Sequence, residues 1–168
     1  MNKRGQDVFG MSFGMIFGII IIAAIIAVAF YVIAHFLNLQ KCTDTSLLYN
    51  DLQNEVDKAW KSTNYQDTFS VKLPSGIDFV CFGFLNQSAS NLNDREKQDS
   101  LDEEYSSRSK DNLFLYPAKK TCNLDLGANK INHVEINGFF CVEKENGKLD
   151  VKLSKSSSEA LVKILNDK

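Results

Sequence analysis

The chain has 168 residues, 19 of them basic and 21 acidic, for a net charge of −2, so it lacks the basic excess on which nucleic-acid binding rests. Only two histidines are present, and the sequence holds no Gly-rich phosphate loop, no G-x-S-x-G and no H-E-x-x-H, which leaves catalysis without a recognisable motif. The expectation is a non-catalytic protein with no cofactor and no metal site.

The first element is decisive for location. From Val8 to Gln40 there is no Asp, Glu, Lys or Arg, and the run Met15 to Leu37 exceeds the roughly 20 apolar residues that span a bilayer, with length to spare for tilt. A secretory signal has an apolar centre of only about 7 to 15 residues and then a small-residue cleavage site. Here Asn38, Leu39, Gln40 and Lys41 follow instead. The chain therefore divides into a basic leader at 1–7, a retained single-pass transmembrane helix at 8–40 and a domain at 41–168. Lys3 and Arg4 place the leader in the cytoplasm and the domain outside the cell membrane. Taking Lys3, Arg4 and Asp7 from the totals leaves 17 basic and 20 acidic residues beyond the span, a mildly acidic domain. His35, near the outer end, is expected to snorkel toward the headgroups. Gly10, Gly14 and Gly18 recur every fourth residue on one helical face, a doubled G-x-x-x-G that lets a neighbouring helix approach; the competing reading is that glycine is common in membrane helices.

The short lead Lys3-Arg4-Gly5-Gln6 directly before this helix resembles the type III signal of archaeal prepilins. The resemblance covers about the first 35 residues and implies a type IV pilin-like surface protein. In that family a membrane prepilin peptidase cuts after the glycine, which here means between Gly5 and Gln6. The apolar helix is kept, first as a membrane anchor and then as the packed core of a filament.

Beyond the span, Leu48, Leu52, Val56 and Trp60 repeat at intervals of four, with Leu47 and Ala59 widening the stripe, which predicts a second, amphipathic helix. Asp44, Thr45 or Ser46 is the expected cap. Without a break near Cys42, the two helices form one rod from Val8 to Ser62, about 80 Å long. Trp60 is expected to anchor the core against a sheet. Strands follow at Thr68 to Leu73, at Ile77 to Leu85, whose branched and aromatic content suits burial on both faces, and at Leu113 to Tyr116. Asn146-Gly147 between Val134 to Glu143 and Lys148 to Leu153 predicts a hairpin, with Asn137-Gly138 a bulge or an additional turn. Ser156 to Glu159 has the pattern of a capping box before a short C-terminal helix carrying Leu161, Ile164 and Leu165. The predicted class is α+β: a long N-terminal helix packed on a small antiparallel sheet, with a short C-terminal helix.

The segment 87–112 holds 11 charged residues in 26, with only Ala89, Leu92, Leu101 and Tyr105 apolar. It reads as an exposed polar insertion, with at most a frayed helix around Asp94 to Tyr105. Asn86-Gln87-Ser88 is the single N-x-S/T sequon and a candidate glycan acceptor. Cys42, Cys81, Cys122 and Cys141 all lie beyond the span, none in a C-x-x-C pair, so two disulfides are expected in an oxidising compartment. All three pairings are open; Cys81 with Cys141 comes first because each interrupts an apolar strand-like run, and Cys122 with Cys141 is close behind. Cys–His catalysis would need a free thiol near His133, for which Cys141 is the nearest candidate. Two functional classes remain: a pilin-like subunit that self-associates through its apolar helix, and a binding or accessory subunit tethered in the membrane lipid by its uncleaved helix and contacting another envelope protein.

Overall fold

The computed structural model describes residues 7–166, with side chains from Gly14 onward. The chain divides into two units, 1–39 and 40–168. Helix α1, Asp7–Lys61, contributes to both and is unbroken. No new cap is therefore needed at 44–46. Thr45 is buried within the helix, where its hydroxyl donates to the Lys41 carbonyl one turn earlier at 2.8 Å.

Within the second unit α1 buries Leu48, Tyr49, Leu52, Val56 and Ala59. The stripe departs from the expected one at its ends, where Leu47 and Trp60 are exposed. At about 100° per residue, Ala59 returns to within about 20° of the direction of Leu48, whereas Trp60 has swung about 120° away. A strict four-residue interval overshoots the helical period, and Trp60 is carried out of the core.

Among the described residues eight strands form two sheets of four. The first has the order β1-β7-β8-β5, built from β1 (Tyr65–Lys72), β7 (Lys148–Lys155), β8 (Val162–Leu165) and β5 (Val134–Glu135). Its long pair, β1 with β7, is antiparallel from Tyr65 opposite Lys155 to Lys72 opposite Lys148; β5 with β8 is parallel. The second sheet, β4-β3-β2-β6, is antiparallel throughout and built from β4 (Ala128–Asn129), β3 (Leu113–Tyr116), β2 (Phe79–Phe82) and β6 (Phe140–Glu143).

The second sheet is covered on both faces, as the branched and aromatic run from Ile77 predicts. Val80, Phe82, Leu113 and Leu115 join the α1 stripe and the inward residues Leu149, Val151 and Leu153 of β7 in the larger core. Their neighbours Cys81 and Phe114, on the opposite face, join Leu101, Tyr105 and Phe139 in a smaller one. That smaller core is made by α2, Leu92–Tyr105, so the polar segment 87–112 is not an unpacked insertion. Leu101 and Tyr105 are one turn apart and cover the sheet together. The Asn91 side chain caps the helix by accepting from the Asp94 amide at 2.9 Å.

Strand β2 is shorter than the run Ile77 to Leu85. It stops at Gly83, which has φ +113° and lies so close to Gly138 and Phe139 that a side chain would collide with their backbone. Asn146 and Gly147 take the positive φ values of a two-residue turn, 52° and 78°, closed by reciprocal backbone bonds between Glu145 and Lys148. The strands that it joins belong to different sheets, so the turn is a corner between layers. Gly138, at φ +79°, likewise splits the run from Val134 into β5 and β6. The C-terminal segment is strand β8 and not a helix. The Ser156 amide does donate to Glu159 at 2.7 Å, but Val162 and Ile164 then alternate inward against β7.

Candidate functional site: an apolar helical surface and a tied domain

The surface that most distinguishes this chain lies on the first part of α1. Ile19, Ile25, Phe30 and Tyr31 are between 61% and 73% exposed, and an 18-residue window reaches a mean hydropathy of 3.1 with none of it buried within the chain. A helix apolar all round is stable only in a large protein core or in lipid. Exposed to water, such a surface costs about 25 cal/mol per Å². Among the described residues there is thus one helix, near the N-terminus, long and apolar enough to cross a membrane. Tyr31 and His35, one turn apart, stack with ring centroids 6.4 Å apart.

A Cβ placed on Gly14 or Gly18 would meet nothing within 4 Å. Neither glycine is demanded by a contact among the described residues, and both leave backbone open to a neighbour. Gly5 and Gln6 lie outside the described residues, as do the surroundings of Gly10.

The second unit is fastened by two disulfides, Cys42–Cys122 and Cys81–Cys141. Cys81 and Cys141 face each other in register across β2 and β6, both buried, with Cα atoms 3.9 Å apart. The first-choice pairing forms, and Cys122–Cys141 does not. Because Cys141 is bridged, it is not a free thiol partner for His133. Cys42–Cys122 joins α1 to the loop between β3 and β4, with Cα atoms 5.2 Å apart. Disulfides of this kind persist in oxidising compartments.

This loop and the one that follows β4 are held by three further contacts. The buried Tyr49 hydroxyl donates to the Leu126 carbonyl, and burial pushes that phenol far above its usual titration range. Gln53 on α1 accepts from the Asn132 amide at 2.8 Å. Arg108, just after α2, donates to the Asp125 and Ala128 carbonyls at 2.9 and 3.1 Å and pairs with the Asp125 carboxylate.

Sequence reasoning did not foresee the group formed by Trp60, His133 and Asp57. The His133 ring stacks flat on Trp60, with centroids 3.9 Å apart and planes within 4°, and its Nδ1 lies 3.0 Å from the Asp57 carboxylate. The hydrogen bond from His133 holds the Asp57 carboxyl below its usual range, and the Gln53 amide acts in the same direction. Trp60 Nε1 donates to the Ala160 carbonyl at 3.1 Å. Three segments distant in sequence meet here. The arrangement is a tie between α1, the start of β5 and the turn before β8. Among the described residues, no group of three or more His, Cys, Asp or Glu side chains could hold a metal ion.

Asn86 is exposed, in the turn after β2. Set against known protein families, curated proteins and solved structures, the chain matches none of them.

Proposed function

We propose that this protein is a non-catalytic, single-pass membrane-anchored subunit of prepilin type. Its basic leader stays in the cytoplasm and its disulfide-tied domain lies outside. Lipid is the first partner of the apolar helix; the corresponding helices of other copies are the second, after a membrane peptidase has removed the leader. The observation that carries this reading is the wholly unburied apolar surface of α1, which nothing among the described residues covers. Two disulfides in the remaining unit support an oxidising, extracytoplasmic setting. The basic pair Lys3-Arg4 before Gly5 supports both the orientation and the cut.

The test is the intact mass of the protein from its native host. Loss of Met1 to Gly5 is expected. A full-length species rules out prepilin processing and leaves an uncleaved anchor serving another envelope component.

A further inference from the structure

We propose that Asn86 is a site of N-linked glycosylation. The inference rests on the extracytoplasmic placement of the domain, and it adds a modification that assembly through α1 does not require. The sequon Asn86-Gln87-Ser88 is a weak signal alone, because so short a motif also occurs in sheltered backbone. Here the fold presents it.

Gln87 N donates to the Phe84 carbonyl at 3.0 Å, closing a turn with Leu85 and Asn86 at its two central positions. The turn is braced from beneath. The Gln87 side chain accepts from the Phe84 amide at 2.8 Å, and Gln98, on α2, donates to the Leu85 and Gln87 carbonyls at 2.8 and 2.7 Å. The chain that follows is pinned to Phe139, just before β6, through Ser88 and Ser90, whose backbone groups bond with it at 2.9 and 2.8 Å. Gln87 therefore turns inward, whereas Asn86 and Ser88 on either side of it are exposed. Neither exposed side chain has a hydrogen-bond partner among the described residues. The amide and the hydroxyl that a transferase must reach are both open, two residues apart on an ordered turn. Beside Asn86 lies a shallow hollow of about 140 Å³ that Asp102, Ser106 and Ser109 help to line, polar groups suited to a first sugar.

The donor class is an oligosaccharide carried on a polyprenyl phosphate or diphosphate. In the transfer, Asn86 Nδ2 forms a bond to the anomeric carbon and gives up one proton. The bond from that carbon to the lipid phosphate oxygen breaks, and the lipid phosphate or diphosphate leaves with the bonding pair.

The experiment is glycopeptide mass mapping of the full chain from its native host, beside Asn86→Gln, Ser88→Ala and Ser88→Thr variants. Protease shaving of intact cells is run in parallel to locate the domain. The proposal expects a hexose- or hexosamine-containing mass on the Asn86 peptide, complete loss of it in N86Q and S88A, and retention in S88T. An unmodified Asn86 in a domain that shaving removes overturns the glycosylation alone. A domain that shaving cannot reach overturns the orientation and the modification together. All three variants alter exposed side chains without partners, so they fold as the parent does, and urea midpoints matching the parent's check this.

Discussion

Replacing Cys42 and Cys122 by serine tests how much of the domain's stability comes from constraint on its unfolded chain. The bridge closes a stretch of 80 residues. With a chain-entropy loss of about 2.1 + 1.5R ln n cal/mol/K, that loop is worth about 4.5 kcal/mol at 25 °C. The figure is a ceiling, because Cys81 lies inside this loop and its partner Cys141 outside it. The bridges are interlaced, and the unfolded variant stays partly restrained by the second one. The native contacts of Tyr49 with Leu126, Gln53 with Asn132 and Arg108 with Asp125 survive the substitution, so the variant should fold. The expected loss is about 2 to 4.5 kcal/mol. Trp60 is the only tryptophan and lies against His133 in the folded domain, so its fluorescence reports the domain and not the apolar part of α1. Urea titration of the detergent-solubilised full chain, with a slope of about 2 kcal/mol/M, should show the midpoint falling by about 1 to 2 M. An unchanged midpoint would refute the argument. Non-reducing peptide mapping that joined Cys122 to Cys141 would refute the pairing beneath it.

The His133 contact makes Asp57 a source of acid sensitivity. Its folded pKa lies below the unfolded value, so the stability that it contributes is fully present above the ordinary carboxylate range, near pH 4, and is lost as pH falls through the lower folded value. The pair is more than a third exposed, which limits the effect to a few tenths of a kcal/mol after solvent screening. His133→Gln should flatten the acid limb of the stability curve by that amount in urea midpoints taken from pH 6 down to pH 3, and an unaltered limb would count against the tie. Gly127 packs against the Tyr105 ring and hydroxyl, where a Cβ would collide. Gly127→Ala should cost about 1 to 3 kcal/mol by overpacking. The Tyr105 hydroxyl is buried without a hydrogen-bond partner among the described residues, so Tyr105→Phe alone should be neutral or stabilising by about 1 kcal/mol. In combination it should recover part of the alanine's cost; strict additivity in the double mutant would mean that the two positions do not touch.

Periodicity made much of the fold legible. The apolar run and the stripe from Leu48 are both strong helical signals, and their fusion into one helix follows from the absence of any breaker between Asn38 and Ser46. Leu113–Tyr116 is a strand with the bounds that its composition suggests. The C-terminal segment is ambiguous in sequence because two periods fit it. Ser156 and Glu159 make the local contact of a capping box, yet Val162-Lys163-Ile164-Leu165 also alternates, and the open edge of β7 favours the extended choice. The parallel pairing of β5 with β8 joins residues 28 apart at Val134 and Val162, and no local pattern encodes it.

Helix α2 and the Trp60 tie were hidden for a different reason: their stability is not local. α2 is polar along most of its length, and two apolar side chains, Leu101 and Tyr105, would not hold it ordered in isolation. They suffice because the far face of the second sheet presents Phe114 and Phe139 to them. Gln98 then uses its buried amide to hold the turn at 85–87. Composition counts what a segment brings and is blind to what awaits it. The same holds for His133, which takes a φ of +64°, uncommon for a residue with a side chain. That backbone conformation sets the ring flat on Trp60 and within reach of Asp57, so a local strain is compensated by contacts with a helix some seventy residues earlier, at Asp57 and Trp60. The disulfide-tied unit in which distant segments meet in this way has its own core and its own ties. Under the proposed function, a unit with its own core and ties would stay folded while the apolar helix passed from lipid into contact with other copies.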